Sequence, residues 1–481
     1  MKALLKHSAI YLLARGLPGV VNFLAIAVYT RLLSPDEYGR YALVIAGTGL
    51  ANVLLFQWLA LAVLRYLPGQ EGSAHLLATI RSVYRWLMLA TALAGLPAVL
   101  CTSSEWRWLL ISALPLLWTQ GWFEINLQIL RAQLAPAAYG LVSGLKAIIA
   151  IAGGILLLQW YPVALAPVLG HIAGFLLSSA TQSRALWRSV RAQVDLRLAK
   201  QIMQYGMPLS ATLALSYLLN SSDRFLIAYF IDDHAAGIYA AGYDLTSQIL
   251  MMLMLIVNTA AFPLILNDLE QRGIAPARQQ LSHNIFLLMA VAAPFTAGMV
   301  LFAPEVARTV LGHRFQDTAI SLMPWIALAT LLNGLRSYHF DLAFQLGKHT
   351  VHQLWVMGVA LLVNVILSLI WIPQKGVMGA AWSTLAAYLC ALLASIVIGR
   401  RFFPVPTNWR GIARVGIAVL AMLLVWQVMP RGSTLPHQAL LATVVLLVYS
   451  GVLVALTQFR YPSRSLFRFR GYDGGKTVRR V

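Results

Sequence analysis

The stretch "RLLSPDEYGRYAL", residues 31–43, lies between two long apolar runs, and 198 positions later the chain writes "FIDDHAAGIYAAGY", residues 230–243, between two more. In both, an acidic turn is followed by Gly-x-Tyr-Ala: Gly39, Tyr41 and Ala42, then Gly237, Tyr239 and Ala240. The same turn made twice suggests an internal repeat. The runs on either side of it say what kind.

Of the 481 residues, 59% are hydrophobic and only 11% are charged, against about 25% charged in an ordinary soluble domain. A water-soluble core cannot hide that much apolar surface, so the surroundings are lipid. A membrane helix needs about 20 apolar residues, and fourteen such runs can be placed, from 8–30 to 437–457. The alternation of a membrane β-barrel is absent. The expected fold is therefore an all-α integral membrane protein of about fourteen transmembrane helices, with no room between them for a soluble catalytic domain. Arg15 interrupts the first run, so that run reads as a retained helix rather than a cleaved signal. Cys101 and Cys390 both fall in or at spans and imply no disulfide framework.

Basic residues favour cytoplasmic loops. With the N-terminus inside, 24 of the 36 Lys and Arg fall in cytoplasmic segments and 7 in the opposite loops. Both termini are thus expected in the cytoplasm, with an even number of spans. The two Gly-x-Tyr-Ala turns then follow spans one and seven on the outer side. That gives an N-terminal six-helix lobe (1–183), a basic linker (184–202), a C-terminal six-helix lobe (203–399), two peripheral helices (400–457) and a basic tail (458–481). Two pseudo-symmetric lobes inserted in the same orientation around a central cavity suit alternating access, in which repeats rock about a shared site.

The stretch "ARGLPGVVNFLAIAVYTRLLSPDEYGRYAL" closely resembles the first helix and outer loop of bacterial polysaccharide flippases, and "LNSSDRFLIAYFIDDHAAGIYAAGYDL" is similar to the start of their second half. These are the Wzx-type O-antigen and exopolysaccharide transporters of the multidrug/oligosaccharidyl-lipid/polysaccharide (MOP) superfamily. The resemblance implies two lobes in a V around a cavity. It also implies a polyprenyl-diphosphate-linked oligosaccharide as cargo, carried from the inner to the outer leaflet of the cytoplasmic membrane. A polysaccharide polymerase is an implied partner.

Charges within spans are costly and usually face a cavity, a partner or the interface. Arg15, Lys146 and Arg224 fall inside spans one, five and seven. Arg131 and Arg336 lie near span ends, where long side chains can instead reach the headgroups. Together they are candidates for a cationic vestibule, because arginine forks match phosphate oxygens in pairs. Asn22 and other intramembrane amides offer hydrogen bonds to sugar hydroxyls. Asp223, Glu124 and Asp244 are candidates for a coupling H+ or Na+, with pairing to nearby arginines as the alternative. Asp223 and Arg224 are neighbours about 100° apart on a helix, so each needs its own partner. His171 can titrate or simply bond a neighbouring helix. The "DDHAAG" turn is a helix cap rather than a metal site, and no metal or cofactor is expected.

The net charge of +20 fits basic tails lying on anionic lipid, not a nucleic-acid reader. A cation-coupled drug or small-molecule exporter and a lipid-II-type flippase remain as alternatives within the superfamily. A membrane polymerase or glycosyltransferase is the alternative outside it. Against that last reading, the longest outer loop, Ala303 to Thr318, carries only Glu305 and Asp317 as acids, and no phosphate-binding Gly-rich loop is present.

Overall fold

Why the chain turns where it does is written in its caps. Ser34 accepts from the Glu37 amide and Pro35 occupies the first helical turn with Asp36 and Glu37; Asp232 accepts from the Ala235 amide ahead of Asp233. Side-chain oxygens at the cap, proline at the first position and acids in the first turn all favour a helix start. Two residues thus suffice to reverse the chain between α1 (Gly19–Leu32) and α2 (Pro35–Leu55), and again between α8 (Leu196–Phe230) and α9 (Asp233–Arg272).

The structure, a computed structural model, describes residues 19–68, 73–102, 104–187, 190, 195–430 and 435–458. Every regular element among them is helical. Between the turns just described run α3 (Gln57–Tyr66), α4 (Ser73–Leu100), α5 (Ser104–Ala132), α6 (Pro136–Leu158) and α7 (Leu165–Trp187). After α9 come α10 (Ile274–Leu301), α11 (Ala303–Val310), α12 (His313–Leu335), a π-helix at Arg336–Phe340, α13 (Leu342–Leu346), α14 (Val351–Lys375), α15 (Val377–Gly399), α16 (Trp409–Val428) and α17 (Leu435–Gln458). Among the described residues nine helices are long and apolar enough to cross a membrane, or ten if α2 and α3 form one bent span. The protein is a multi-pass membrane protein. Four of the expected spans, α1, α5, α7 and α8, are shorter or more polar than that measure requires. The expected outer loop from Ala303 to Thr318 is mostly helical, because α11 and the start of α12 fill it.

The two turns of the sequence repeat meet. A Cβ placed on Gly39 would overlap the carbonyl oxygen of Asp233, and one on Gly237 would overlap that of Pro35. Residue 35 plus 198 is 233, and 39 plus 198 is 237, so the contact is reciprocal. An approximate two-fold axis passes between α2 and α9. Such close backbone approach is what small residues at membrane helix crossings permit. Ion pairs ring the crossing. His234 Nδ1 lies 3.1 Å from Asp36 Oδ2, again partners 198 apart, and Arg40 Nε donates to Asp233 at 3.1 Å. Glu37 accepts from Arg40 at 3.0 Å and from the Ala164 amide at 2.5 Å. The crossing thus joins the starts of α2 and α9 directly.

Beyond the crossing the repeat fails. α9 runs on for 40 residues, about 60 Å at 1.5 Å per residue, whereas its counterpart breaks at Phe56, with α2 and α3 bent by 46°. Neither Pro nor Gly causes the break. The ladder slips to Leu59 N–H→Phe56 O, 3.0 Å, and the Leu55 carbonyl is taken instead by the Trp58 indole N–H at 2.8 Å. The bend presses α3 onto α8, where a Cβ at Gly206 would meet the Trp58 carbonyl at 2.5 Å, and Tyr66 packs edge-on to Tyr205 at 5.6 Å. At the far edge, α16 and α17 form their own core of Val415, Met422, Val445 and Tyr449 against α10, leaving Leu420, Leu424, Leu440 and Leu447 outward.

Two measurements test these contacts. Gly237→Leu should drive α2 and α9 apart and abolish efficient crosslinking between cysteines placed at 36 and 234, which the unchanged glycine permits. Trp58→Phe keeps the ring but strands the Leu55 carbonyl. It should cost about 1–3 kcal/mol, read as a lower melting temperature in detergent.

Candidate functional site

Between α1, α2, α5, α6, α7, α8 and α9 lies a cavity of about 480 Å³. Both halves of the repeat contribute to its wall, including Asn22 and Asn220, which are themselves 198 apart. The other polar lining groups are Arg224, Asp244, Lys146, His171, Gln120, Gln248 and Ser221, with a belt of five tyrosines: Tyr29, Tyr38, Tyr41, Tyr217 and Tyr243.

The adjacency of Asp223 and Arg224 on α8 sends them to opposite sides. Arg224 points into the cavity, where Nη2 donates to Asp244 of α9, and its guanidinium lies 5.8 Å from the Tyr243 ring centroid. Its Nε has no hydrogen-bond partner among the described residues, and neither has the Tyr29 hydroxyl. Buried donors without partners are rare in folded proteins; these two sit in one cavity wall, both closed off from solvent. Tyr41 Oη and His171 Nε2 are 3.0 Å apart, and the Lys146 ammonium sits 4.5 Å from the centre of the Phe175 ring.

Asp223 faces the other way, only 3% exposed, into the packing of α9, α14 and α15. Oδ1 accepts from Asn364 and Ser368, both at 3.3 Å, and Oδ2 from Tyr239 at 2.9 Å and from Thr384. Ser222 donates to the Asn364 carbonyl at 2.9 Å, and Ser368 and Ser383 hydroxyls are 2.6 Å apart. No cationic side chain pairs with this carboxylate among the described residues.

Several sequence candidates lie elsewhere. Arg336 stands outside the cavity, in the π-helix, where Nη1 donates to Asp341 at 3.0 Å and Nη2 to Asn333 and Ser337, both at 2.9 Å. Asp341 also accepts from Ser395 at 2.6 Å and Gln353 at 3.2 Å. That network ties α12, α14 and α15 together and occupies both Nη atoms; Nε, like that of Arg224, is buried without a partner among the described residues, but it lies away from the cavity. Arg131 is exposed in the last turn of α5, away from the cavity. Glu124 does not line it either, but its Oε1 accepts from Gln120 at 3.3 Å. Arg15 falls outside the described residues. Of the intramembrane amides, Asn126 bonds Trp187, Asn333 bonds Arg336 and Asn364 bonds Asp223, so they brace helices rather than a guest. The tyrosine belt and Gln248 escaped sequence reasoning, because a tyrosine in an apolar run carries no sign of which way it faces. The 198-residue offset was the available signal, and it would have matched Asn22 to Asn220.

Removing one member of the buried Arg336–Asp341 pair leaves an uncompensated charge. Arg336→Met alone should cost about 3–5 kcal/mol, and Arg336→Met with Asp341→Leu should recover most of it. Paired thermal denaturation of the two variants provides the check.

Residues 28–320 match the family model described as "Polysaccharide biosynthesis protein". Relatives include the amylovoran biosynthesis protein AmsL of Erwinia amylovora, 19% identical over 226 residues (46% of this chain, 58% of that protein). The teichuronic acid biosynthesis protein TuaB of Bacillus subtilis is 22% identical over 240 residues, 48% of each chain. The chain thus spans about half the length of either relative. Among solved structures, the lipid II flippase MurJ in an inward closed conformation superposes with a TM-score of 0.77 at 13% identity, covering 94% of this chain and 98% of that one. An inward-facing multidrug resistance MATE family transporter of the MOP superfamily gives 0.61 at 13% identity, covering 81% and 97%. The chain therefore belongs to the polysaccharide biosynthesis protein family and is built on the fold shared by MurJ and the MATE transporters of the MOP superfamily.

Proposed function

We propose that the protein is a flippase that carries a polyprenyl-diphosphate-linked oligosaccharide, such as an O-antigen or exopolysaccharide repeat unit, from the inner to the outer leaflet of the cytoplasmic membrane by alternating access. The observation that carries this reading is the cavity. It is formed by both sequence repeats and lined by Arg224, Lys146, tyrosines and amides. A diphosphate needs fixed cationic donors to replace its hydration, and sugars need hydrogen-bonding walls with apolar faces between them. Family membership and the names of both relatives support polysaccharide assembly as the setting.

In this reading residues 1–183 and 203–399 are the rocking lobes, 184–202 the basic linker, 400–457 a peripheral helix pair that meets the prenyl tail, and 458–481 a basic tail on anionic lipid. The Gly39–Gly237 crossing is the closed outer gate, both termini lie in the cytoplasm, and a polysaccharide polymerase receives the delivered unit. Arg224, joined by Arg15 from the first span, holds the diphosphate. Asp244 occupies Arg224 in the empty carrier and yields when phosphate arrives, because a dianionic group offers the guanidinium a stronger partner. No covalent bond to cargo forms, so the protein is a transporter rather than an enzyme.

Coupling is assigned to Asp223. A carboxylate buried without a cationic partner either takes a proton or holds a metal cation. The surrounding hydroxyl and amide oxygens are hard ligands of the kind Na+ accepts. Because these ligands span α8, α9, α14 and α15, occupancy of the site alters how α8 packs and thereby moves Arg224 on its opposite face.

Two experiments test the reading. In liposomes containing a labelled undecaprenyl-diphosphate oligosaccharide, the wild-type protein should accelerate its crossing, and Arg15→Gln with Arg224→Gln should lower the initial rate at least tenfold at unchanged insertion. Equal rates would remove the cavity assignment. Asp223→Asn keeps size and most hydrogen bonds; it should leave equilibration of cargo intact while abolishing the acceleration given by an inward Na+ or H+ gradient.

A further inference from the structure

We infer that the cavity contains a second anion point, separate from Arg224, and that it takes the carboxylate of an acidic sugar, so that the natural cargo carries a uronic-acid-type residue. This inference rests on the flippase reading above.

The two cations in the cavity differ in what already holds them. Arg224 of α8 is engaged by Asp244. Lys146 of α6 lines the same cavity but makes no ion pair or hydrogen bond among the described residues; its one contact of charge is the Phe175 ring at 4.5 Å. Glu124 is the acid whose field reaches it, yet Glu124 stands beyond ion-pair distance, with its Oε1 accepting from Gln120 at 3.3 Å. Lys146 is half-buried, and its ammonium faces the cavity space, so its three donors stand ready for whatever fills the cavity. An anionic guest offers that ammonium a stronger partner than water does.

What surrounds Lys146 selects the kind of anion. A bare diphosphate has no apolar face and is matched best by the planar fork of an arginine. Lysine is a compact point charge, and here it stands among rings. Phe175 lies beneath it and His171 stacks on Tyr41 with ring centroids 6.0 Å apart. An acidic pyranose has both complements in one unit: a carboxylate for the ammonium and a C–H face for an aromatic ring. The paired Tyr41 and His171, 3.0 Å apart, add a polar edge within the same wall. With Arg224 contributed by α8 and Lys146 by α6, the diphosphate and the acidic sugar are gripped by opposite halves of the repeat, which requires both helices to close on one cargo molecule.

The test uses two labelled cargoes in liposomes: an undecaprenyl-diphosphate trisaccharide containing glucuronic acid, and the same molecule with that carboxyl reduced to the neutral hexose. The diphosphate is common to both, so the readout is the ratio of their initial crossing rates. The wild-type ratio should favour the acidic cargo at least tenfold, and Lys146→Met should bring it to within about twofold of unity. Lys146→Cys, with Cys101 and Cys390 changed to Ala, should regain the preference after aminoethylation of the thiol, and not after the neutral ethyl modification. A wild-type ratio near one, or a ratio that Lys146→Met leaves unchanged, overturns the inference while the flippase reading stands. If neither cargo crosses, the flippase reading itself fails and takes this one with it.

Discussion

Two glycines that touch across an approximate two-fold axis hold this molecule in the state described. At the Gly39–Gly237 crossing the backbones of α2 and α9 approach so closely that neither position admits a Cβ. Lipid supplies no hydrophobic drive for helices to associate, so contact must come from packing, hydrogen bonds and charge. This crossing supplies all three, with its ion pairs Asp36–His234 and Arg40–Asp233. The cavity lies between the same two helices and their neighbours, so whatever parts the glycines reshapes the site.

The crossing also explains why a repeat, rather than a single copy of the turn, persists in the structure. A two-fold contact needs a cap and a glycine at matching positions on both sides. Ser34 and Asp232, 198 apart, do the capping, and each leaves two residues between its helix and the end of the previous one. Elsewhere the symmetry is dropped. α2 breaks at Phe56 and lays α3 on α8, while α9 continues unbroken, and Asp223 with its four donors has Ala25 as its counterpart 198 positions earlier.

Much of this was legible in the residues. Apolar run length pointed to the membrane and to helices, and the repeated Gly-x-Tyr-Ala marked the two turns that meet in the structure. The divergence of Asp223 and Arg224 followed from helical pitch alone. Other features were hidden for physical reasons. The break at Phe56 has no proline or glycine to announce it; it is stabilised by an indole N–H whose reach depends on tertiary geometry. Arg336 read as a candidate cation because its acid, Asp341, sits five residues on, a spacing that an α-helix would not bring together and that the π-helix does. The tyrosine belt was invisible because an aromatic residue facing lipid and one facing a cavity look alike in sequence.

In the proposed flippase, the different facing of Asp223 and Arg224 on α8 keeps cargo and coupling ion apart. A single helix carries both groups, yet one meets the cavity and the other the dry packing of α9, α14 and α15. On that proposal, an event at Asp223 that changes how α8 seats against those three helices also shifts the face that bears Arg224. On the same proposal, cargo drawn to Arg224 changes the fit around Asp223. By linkage the two effects are equal in free energy. No chain of intermediates is required, since the rigid body that connects the sites is one turn of helix.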